Sequence, residues 1–531
     1  MVATRRDFLK GAAGGAVLLG LGSVGWSRNP SPAKRPNILL ITADDLNCDS
    51  VGVYGCKTPD ITPNIDKLAA AGVRFEHAHV TIAVCQPCRG VLATGRYPHR
   101  SGIEGFQRLP AAKNDIQLVT ERLRAGGYLN GILGKVGHSS PKVSFKWDMS
   151  YDMPQLGKGR DPKLYAKYAR EFFLAAKSQG KPFYLMANSH DPHRPFAGSD
   201  QEAGMRRGGK LTPPSRTYKP GEINIPGFLP DIPNVRREIA EYYSSVKRCD
   251  DTVGALLKAL DESGQADNTL VMFISDHGMA LPFAKTNCYL HSTRTPWIVR
   301  WPGVIKGPRV DKTHFISGID FMPTALEAAG LPKDDTVDGT SFLAILKGGS
   351  QTGRDNVFTQ FHQTAGRKRF PMRTIQDKRF GYIFNPWSDG KTAFKNESQS
   401  GRSFKAMQAA AKDDAKIAAR VKLFQYRVVE EFYDFAKDPD ALTNLIDNAE
   451  YKPQIDKMRA ELQKWMIATK DPVVEAFEKR DSPEALAKFM AEQNAKSRAM
   501  PRRNKNKNKN KKNKKNPNNN RVKKRNAAAE K

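Results

Sequence analysis

Three short runs of the chain are almost entirely apolar, and each is followed by ionisable residues. The runs cover residues 37–42, 182–187 and 269–274, and they precede Asp44-Asp45, Ser189-His190-Asp191 and Ser275-Asp276-His277. A continuous apolar run is typical of a strand that is buried on both faces, because a half-exposed strand alternates apolar and polar residues. The pattern therefore predicts three buried strands whose ends carry candidate functional side chains.

Helical periodicity fills the segments between these runs. It predicts helices at Asn64–Ala71, Ile116–Arg124, Tyr165–Ala176 and Val235–Leu260. Strands that alternate with helices predict an α/β fold, in which a mostly parallel sheet is sandwiched by helices. Ligands of such folds bind beyond the carboxyl ends of the strands, where the ionisable residues are expected.

The alternation weakens from about Arg354 onward. A strand pattern at Arg379–Phe384 and a helical pattern at Lys452–Thr469 predict a smaller C-terminal α+β domain. We therefore expect four parts: a signal peptide and connector at 1–30, a catalytic domain at 34–353, the α+β domain at 354–475, and a helical linker with a basic tail at 476–531.

The N-terminus has the pattern of an export signal. Arg5 and Arg6 precede an apolar, Gly/Ala-rich run at 11–26, which resembles the twin-arginine signal of bacterial proteins. It predicts export by the twin-arginine machinery to the periplasm or beyond the cell, and a soluble protein after signal removal. An uncleaved anchor is the alternative, since the run is near the lower length limit for crossing a bilayer.

The formal charge of +31 is partly local. Residues 501–531 contain 14 Lys or Arg against one Glu, a net +13, which leaves +18 for the rest. Such a Lys/Asn-rich segment cannot bury enough apolar surface to order itself, so we expect a disordered tail. It could serve solubility or hold a polyanion by counterion release. Nothing in it indicates a specific nucleic acid partner.

The six cysteines are too few and too scattered for a disulfide scaffold. A bridge between Cys48 and Cys56 is conceivable from their proximity in sequence. Cys85-Gln86-Pro87-Cys88 could indicate a redox or metal CxxC motif, but a second CxxC for zinc is missing.

The most specific segment of the chain is Cys85-Gln86-Pro87-Cys88-Arg89-Gly90-Val91-Leu92-Ala93-Thr94-Gly95-Arg96. It resembles the signature of the formylglycine-dependent sulfatases, a Cys followed by x-Pro-x-Arg and then Leu-x-Thr-Gly-Arg, although the family usually has Ser where this chain has Cys88. The resemblance implies an alkaline-phosphatase-like fold. It also implies that a formylglycine-generating enzyme oxidises Cys85 to 3-oxoalanine (formylglycine), although oxidation of Cys85 with Cys88 competes. The implied reaction is hydrolysis of sulfate from a sulfated sugar or polysaccharide.

Sulfate ester hydrolysis builds negative charge on oxygen, so the site needs a divalent cation and fixed positive charges. Asp44, Asp45 and Asp276 are hard oxygen ligands that suit calcium or magnesium. The resemblance places the fourth ligand at His277, where bare ligand chemistry favours zinc or manganese. The iduronate-2-sulfatase branch also has His there, which implies one Ca²⁺ per chain.

The resemblance also assigns the remaining catalytic roles. Arg89 orients the formylglycine, Lys135 holds the sulfate, and His138 takes the proton that lets the hydrated aldehyde collapse. His190 is a sulfate ligand or the general acid to the leaving atom, and Lys285 neutralises the sulfate and the leaving group. His291 and Arg294 could contact the sugar, with surface packing as an equal alternative.

Substrate identity stays open at this stage. The His190–Arg194 segment and the neighbourhood of Lys285 look most like N-sulfoglucosamine sulfohydrolase, whereas the spacing of Lys135 and His138 looks like iduronate-2-sulfatase. Both O-sulfate and N-sulfate therefore remain candidates. Two alternative functions are a phosphonate or phosphate monoester hydrolase that uses the same formylglycine, and a catalytically silent protein that binds sulfated glycan.

Overall fold

A computed structural model of the chain describes residues 35–206 and 211–499. The predicted export signal and the basic tail lie outside the described residues. The strands are β1 (Asn37–Asp44), β2 (Val73–Phe75), β3 (Ala78–His79), β4 (Leu129–Leu133), β5 (Met149–Tyr151), β6 (Phe183–Pro192), β7 (Thr269–Ser275), β8 (Trp297–Arg300), β9 (Arg309–Asp311), β10 (Ile316–Ser317), β11 (Asn356–Gln363), β12 (Arg369–Asp377), β13 (Phe380–Phe384) and β14 (Glu430–Asp434).

The α-helices vary from single turns to a 30-residue helix. They are α1 (Pro63–Ala70), α2 (Cys85–Thr94), α3 (Pro98–Ser101), α4 (Val119–Ala125), α5 (Pro162–Ser178), α6 (Asp200–Arg206), α7 (Pro233–Glu262), α8 (Leu290–Thr293), α9 (Phe321–Ala328), α10 (Leu343–Leu346), α11 (Arg402–Ala410), α12 (Ala415–Tyr426), α13 (Lys452–Ala468), α14 (Val474–Glu478) and α15 (Pro483–Ala499). Among the described helices, none combines the length and the apolar character that a membrane crossing requires.

The main sheet has eight strands in the order β5-β4-β6-β1-β7-β8-β2-β9. The strands β5, β4, β6, β1 and β7 are mutually parallel, and β8 runs antiparallel to both of its neighbours. The three strands that the apolar runs predict are adjacent at its centre, with Ile41 opposite both Ala187 and Phe273. The mostly parallel α/β sheet is therefore confirmed.

Both faces of β1 are buried, which explains its continuous apolar sequence. Leu39 and Ile41 belong to a cluster with residues of α5 and α7, such as Phe172 and Val246. Ile38 and Leu40 belong to a second cluster, with residues of α4 and α9. Because alternate side chains of a strand point to opposite faces, helices cover the sheet on both sides.

The strands β11, β12, β13 and β14 form a separate antiparallel sheet. Its buried residues, including Ile375, Tyr382 and Phe432, belong to the same cluster as Leu39 of the main sheet. The expected smaller C-terminal α+β part is confirmed, its sheet is antiparallel, and its hydrophobic core is continuous with that of the catalytic part. The exact domain limits remain predictions.

Candidate active site

The ends of β1 and β7 bring three carboxylates together. Asp44 is the last residue of β1, and Asp276 directly follows β7. Asp45 has a left-handed backbone conformation, with φ of 69°, and its N–H donates to Oδ1 of Asp276 over 3.1 Å. All three side chains are fully buried. The shared carboxyl edge of parallel strands thus produces the acidic cluster.

These residues form a donor set that fits a metal ion. One ligand atom from each of Asp44, Asp45, Cys85 and His277 lies within 4.8 Å of the others. Asp276 adds a carboxylate whose Oδ1 is 3.5 Å from Nε2 of His277. Three carboxylates offer up to about six oxygens, and Ca²⁺ takes about 6–8 oxygen ligands. The cluster can therefore hold a divalent cation, although the imidazole nitrogen leaves the choice of metal open.

Cys85 lies against this cluster as the first residue of α2. Its Sγ is 3.3 Å from Nε2 of His277 and 3.6 Å from Oδ1 of Asp44. Burial, assisted by the negative charge of Asp44, raises the pKa of the Cys85 thiol well above its usual range. The unmodified thiol therefore stays protonated, and a protonated thiol is a poor nucleophile.

Arg89 lies one helical turn after Cys85 and is fully buried. Its guanidinium donates to Oγ1 of Thr42 over 2.9 Å, to Oδ1 of Asn188 over 2.5 Å and to Oδ2 of Asp276 over 2.9 Å. These bonds tie α2 to the ends of β1, β6 and β7. They hold the residues that flank the Cys85 side chain in one geometry.

Two lysines reach the carboxylates from different loops. Lys135 follows β4 in a left-handed conformation, with φ of 50°, and its ammonium pairs with Asp44. Nζ of Lys285 is 2.9 Å from a carboxylate oxygen of Asp45. Although burial alone would lower the pKa of each lysine, the Asp44 carboxylate raises that of Lys135 and the Asp45 carboxylate raises that of Lys285. Both side chains are therefore fixed positive charges.

Gly134 makes the approach of Lys135 to the sheet possible. A Cβ at this position would lie 2.3 Å from the backbone oxygen of Asn188, and its φ is 72°. Only glycine satisfies both the positive φ and the close contact without a shift of the backbone.

Two histidines flank the centre in their neutral form. Burial lowers the pKa of His190 well below its usual range, and Nδ1 of its ring is 3.3 Å from the Tyr165 hydroxyl. Burial, with the nearby ammonium of Lys135, lowers the pKa of His138 to about 4. A neutral imidazole can accept a proton, so both side chains suit proton transfer near neutral pH.

Three further residues belong to the site. Sequence reasoning missed Asn188 and Glu397, and it marked His193 only as part of the His190–Arg194 segment, with a turn-stabilising role as an equal alternative. Asn188 accepts from Arg89, and its polar side chain at the end of an apolar run was a signal that could have been used. Nε2 of His193 is 4.0 Å from Asp45 and 3.7 Å from Glu397. Oε2 of Glu397 is 2.9 Å from Nζ of Lys285. Glu397 comes from the C-terminal part, more than a hundred residues after Lys285, and no local pattern marks it.

The two expected sugar contacts have protein partners. Nε2 of His291 is 3.0 Å from Oδ1 of Asp440, and Nε of Arg294 donates to the backbone oxygen of Glu76 over 3.1 Å. Their contact with sugar remains a prediction. All six cysteines are free thiols in the structure, including Cys48, Cys56 and Cys88.

Known protein families match residues of both the main sheet and the C-terminal sheet. A family model described as Sulfatase matches residues 36–331, and one described as N-sulphoglucosamine sulphohydrolase, C-terminal, matches residues 276–389. Human N-sulphoglucosamine sulphohydrolase is 28% identical over 470 residues, covering 83% of this chain and 92% of that protein. An ulvan-active sulfatase of Formosa agariphila is 26% identical over 481 residues, covering 82% of this chain and 76% of that protein.

Solved structures of other proteins share this fold. One is a protein in complex with its substrate, D-glucosamine-2-N,6-O-disulfate, which superposes with a TM-score of 0.61 at 18% identity and covers 83% of this chain and 99% of that protein. This likeness concerns the fold, whereas the Sulfatase match extends over more than half of the sequence. The chain therefore belongs to the sulfatase family, and it is a sulfuric ester hydrolase of that family.

Proposed function

We propose that this sulfatase removes sulfate from a sulfated polysaccharide or a sugar derived from one, with Cys85 oxidised to formylglycine and a calcium ion at the acidic cluster. The observation that carries the proposal is the position of Cys85 Sγ, within 3.6 Å of both His277 and Asp44 in a buried centre. The high pKa of this thiol argues against direct attack by sulfur, which favours a modified side chain.

The modification and the metal would each supply one kind of chemistry. Hydrated formylglycine offers a hydroxyl group that can attack sulfur and later collapse, which a thiol cannot do. A divalent cation held by Asp44, Asp45, Asp276 and His277 would polarise the sulfate oxygens. The oxygen-rich donor set favours calcium among the candidates.

The side chains of the protein bind sulfate and move protons. Lys135 and Lys285 present two ammonium groups to the non-bridging oxygens, where negative charge accumulates. The Tyr165 hydroxyl donates to the backbone oxygen of Asn188 over 2.7 Å, so its oxygen is available to Nδ1–H of His190. That arrangement leaves Nε2 of His190 to accept the proton of the attacking hydroxyl, which it can then pass to the leaving oxygen or nitrogen. His138, neutral above about pH 4, can accept the other proton, which is released when the hydrated aldehyde collapses.

The substrate class follows from two relatives and one neighbour. The human relative is named for sulfate removal from N-sulfoglucosamine, and a structural neighbour was solved with a glucosamine disulfate. The Formosa relative is named for activity on ulvan. We propose a sulfated polysaccharide substrate, with an O-sulfate or N-sulfate as the scissile group.

The proposal of further partners rests on sequence patterns. We propose that a formylglycine-generating enzyme reads Cys85, Pro87 and Arg89, and that the twin-arginine machinery exports the protein to the periplasm or the medium. The basic tail is proposed to contact polyanions there.

Mass spectrometry of the peptide that contains Cys85 tests the proposal first. Protein made in a host with a formylglycine-generating enzyme should show a loss of about 18 Da relative to the cysteine form, the difference between CH₂SH and CHO. It should release sulfate from 4-nitrophenyl sulfate and from sulfated oligosaccharides. Cys85→Ala should fold and release none, whereas Cys88→Ser is the matched control and should retain the modification and the activity.

Other outcomes would point elsewhere. Faster hydrolysis of 4-nitrophenyl phosphate or a phosphonate ester than of the sulfate would favour the phosphonate hydrolase. An unmodified Cys85, with glycan binding but no turnover, would favour the silent binder. Full activity in folded Cys85→Ala would refute the proposed nucleophile.

A further inference from the structure

A cavity of about 380 Å³ opens beside the active centre. Lys285 and Glu397 line its inner end, together with Val84, which directly precedes Cys85. Lys368 and Lys395 line the remainder, and both are exposed. A sugar bound at the active centre would therefore extend into a basic passage.

This cavity leads into a larger groove. The groove has a volume of about 1280 Å³, and Gly366 and Lys368 line both spaces. Its walls are the segment 366–370, the segment 386–393 after β13, and one side of α15. Sites for drug-sized ligands typically measure about 300–1,000 Å³, so the combined space suits a longer ligand.

The groove carries an excess of positive charge. Six basic side chains line it against two acidic ones, Asp389 and Asp481. The carboxylate of Asp389 already accepts from the backbone N–H groups of Lys391 and Thr392. Among the six, Arg369 pairs with Glu104 and Arg480 with Glu430. Lys368 and Arg498 form no ion pair with any other described residue, and neither does Lys395 of the adjoining cavity. The groove therefore presents the unpaired positive charges of Lys368 and Arg498 to any ligand that binds there.

A buried hydrogen-bond donor also lacks a partner on the groove floor. Trp387 is 2% exposed, and Nε1 of its indole has no acceptor among the described residues. Phe370 packs edge to face against this ring, with 5.0 Å between centroids, and both rings line the groove. An indole N–H is a donor only, and a buried donor without a partner is costly.

We propose that the groove between segment 366–370, segment 386–393 and α15 binds the continuing chain of a sulfated polysaccharide, so that the enzyme recognises several sugars beyond the one it desulfates. The proposal rests on the proposed function, because it takes the active centre as the site of the terminal or reacting sugar. The chain's own C-terminal tail is disfavoured as the occupant, since residues 501–531 are as basic as the groove.

Substrate length provides the test in the full-length enzyme. The double variant Lys368→Ser, Arg498→Ser removes two exposed charges that line the groove and leaves the active centre intact. The double variant Lys163→Ser, Lys412→Ser is the matched control, because it removes two exposed charges that line neither cavity. Each protein is assayed on 4-nitrophenyl sulfate, a heparin disaccharide and a heparin hexasaccharide.

We expect the groove variant to lose about tenfold in kcat/KM on the hexasaccharide, mainly through KM, because the lost contacts are remote from the reacting bond. Its activity on 4-nitrophenyl sulfate should fall much less than its activity on the hexasaccharide, because Lys368 also lines the passage beside Lys285 whereas Arg498 lines only the groove. The control variant should match the parent on all three. A groove variant that loses no more kcat/KM on the hexasaccharide than the control variant does would overturn the proposal.

Hexasaccharide binding is also measured by calorimetry in the groove and control variants, each combined with Cys85→Ala. This measurement separates the proposed groove from the proposed sulfatase function. If the parent released no sulfate from any probe, the proposed function would fail. Weaker hexasaccharide binding in the groove variant than in the control would then still support the groove, and equal binding would refute it.

Discussion

The charged side chains of the active centre balance one another without a metal ion. Three buried carboxylates face three buried cations, namely Asp44, Asp45, Asp276, Arg89, Lys135 and Lys285. Burial alone would raise the pKa of Asp44, but Lys135, with His193 and Arg89, holds it well below its usual range. A divalent cation would therefore make this set net positive, which favours the binding of a sulfate ester.

Glu397 is the residue that opposes this positive charge. Its carboxylate is 2.9 Å from Nζ of Lys285 and 3.7 Å from Nε2 of His193. Burial alone would raise its pKa, but Lys285 and His193 lower it to about 2, so the group is ionised under all working conditions. We expect Glu397→Gln to tighten inhibition by inorganic sulfate about threefold to tenfold, because a like charge near the anion is removed.

The inhibition constant for sulfate, measured with 4-nitrophenyl sulfate as substrate, checks this prediction. Glu450→Gln removes an exposed carboxylate elsewhere and should leave the constant unchanged. Weaker inhibition in Glu397→Gln would mean that Glu397 acts mainly by holding Lys285 in place.

At the scale of elements, apolar patterning was sufficient to find the centre of the sheet. The runs at 37–42, 182–187 and 269–274 correspond to β1, β6 and β7, because strands buried on both faces must be apolar throughout. The pattern did not reveal that β6 continues to Pro192, since its last residues are polar while their backbone still extends along β1. The helix expected from Ile116 begins at Val119, where Glu121 accepts from the N–H of Leu118 and caps it.

Contacts between distant elements left no signal in the sequence. Glu397 meets Lys285 and His193 only through tertiary packing, and α15 meets β12 in the same way, which neither periodicity nor spacing encodes. Most of the motif-based residues were predictable because they lie near a strand end or in the cysteine signature, whereas Lys285 lies in the loop after β7 and was found only by the family resemblance. The C-terminal part, through Glu397, therefore contributes more to the site than its sequence indicated.

A buried network connects β14 to the loop that carries Lys285. The carboxylate of Glu431 accepts from the hydroxyls of Tyr289 and Tyr433, over 2.7 and 2.5 Å, and from the Asn385 amide over 2.8 Å. Arg427 donates to the Tyr289 hydroxyl over 3.0 Å. Since Tyr289 lies four residues after Lys285, we expect the network to position Lys285 through the loop backbone.

We expect Glu431→Gln to lower the free energy of unfolding by about 1–3 kcal/mol, because one of the two carboxylate acceptors becomes a donor that faces other donors. It should also lower kcat on 4-nitrophenyl sulfate severalfold while Cys85 remains modified. Denaturant unfolding and steady-state kinetics measure the two effects, with Glu450→Gln as the surface control. Lost stability with unchanged kcat would show that the network supports the fold without positioning Lys285.

At the scale of the whole molecule, we expect a fall in pH to lower the folding stability first through neutral buried histidines away from the active centre. Burial lowers the pKa of His79 and of His362 well below 6.5. His79 stacks near Phe315, and His362 lies in β11 with Nε2 2.6 Å from Oε1 of Gln360. In the unfolded chain both titrate normally, so the unfolded state takes up protons first as the pH falls below about 6.5.

The sign of the effect follows from this difference in proton binding. Stability from these histidines is fully present above about pH 6.5 and is lost as the pH falls toward their lower folded-state pKa values, by up to about 1.4 kcal/mol per pH unit for each histidine. The double variant His79→Gln, His362→Gln should therefore unfold with a shallower dependence on pH between about pH 6.5 and 5 than the parent. Urea unfolding across that range measures both slopes, and data above about pH 7.5, where both histidines are neutral in either state, provide the baseline for each protein. Equal slopes in the two proteins would mean that other groups, such as the carboxylates of the active centre, control the acid response.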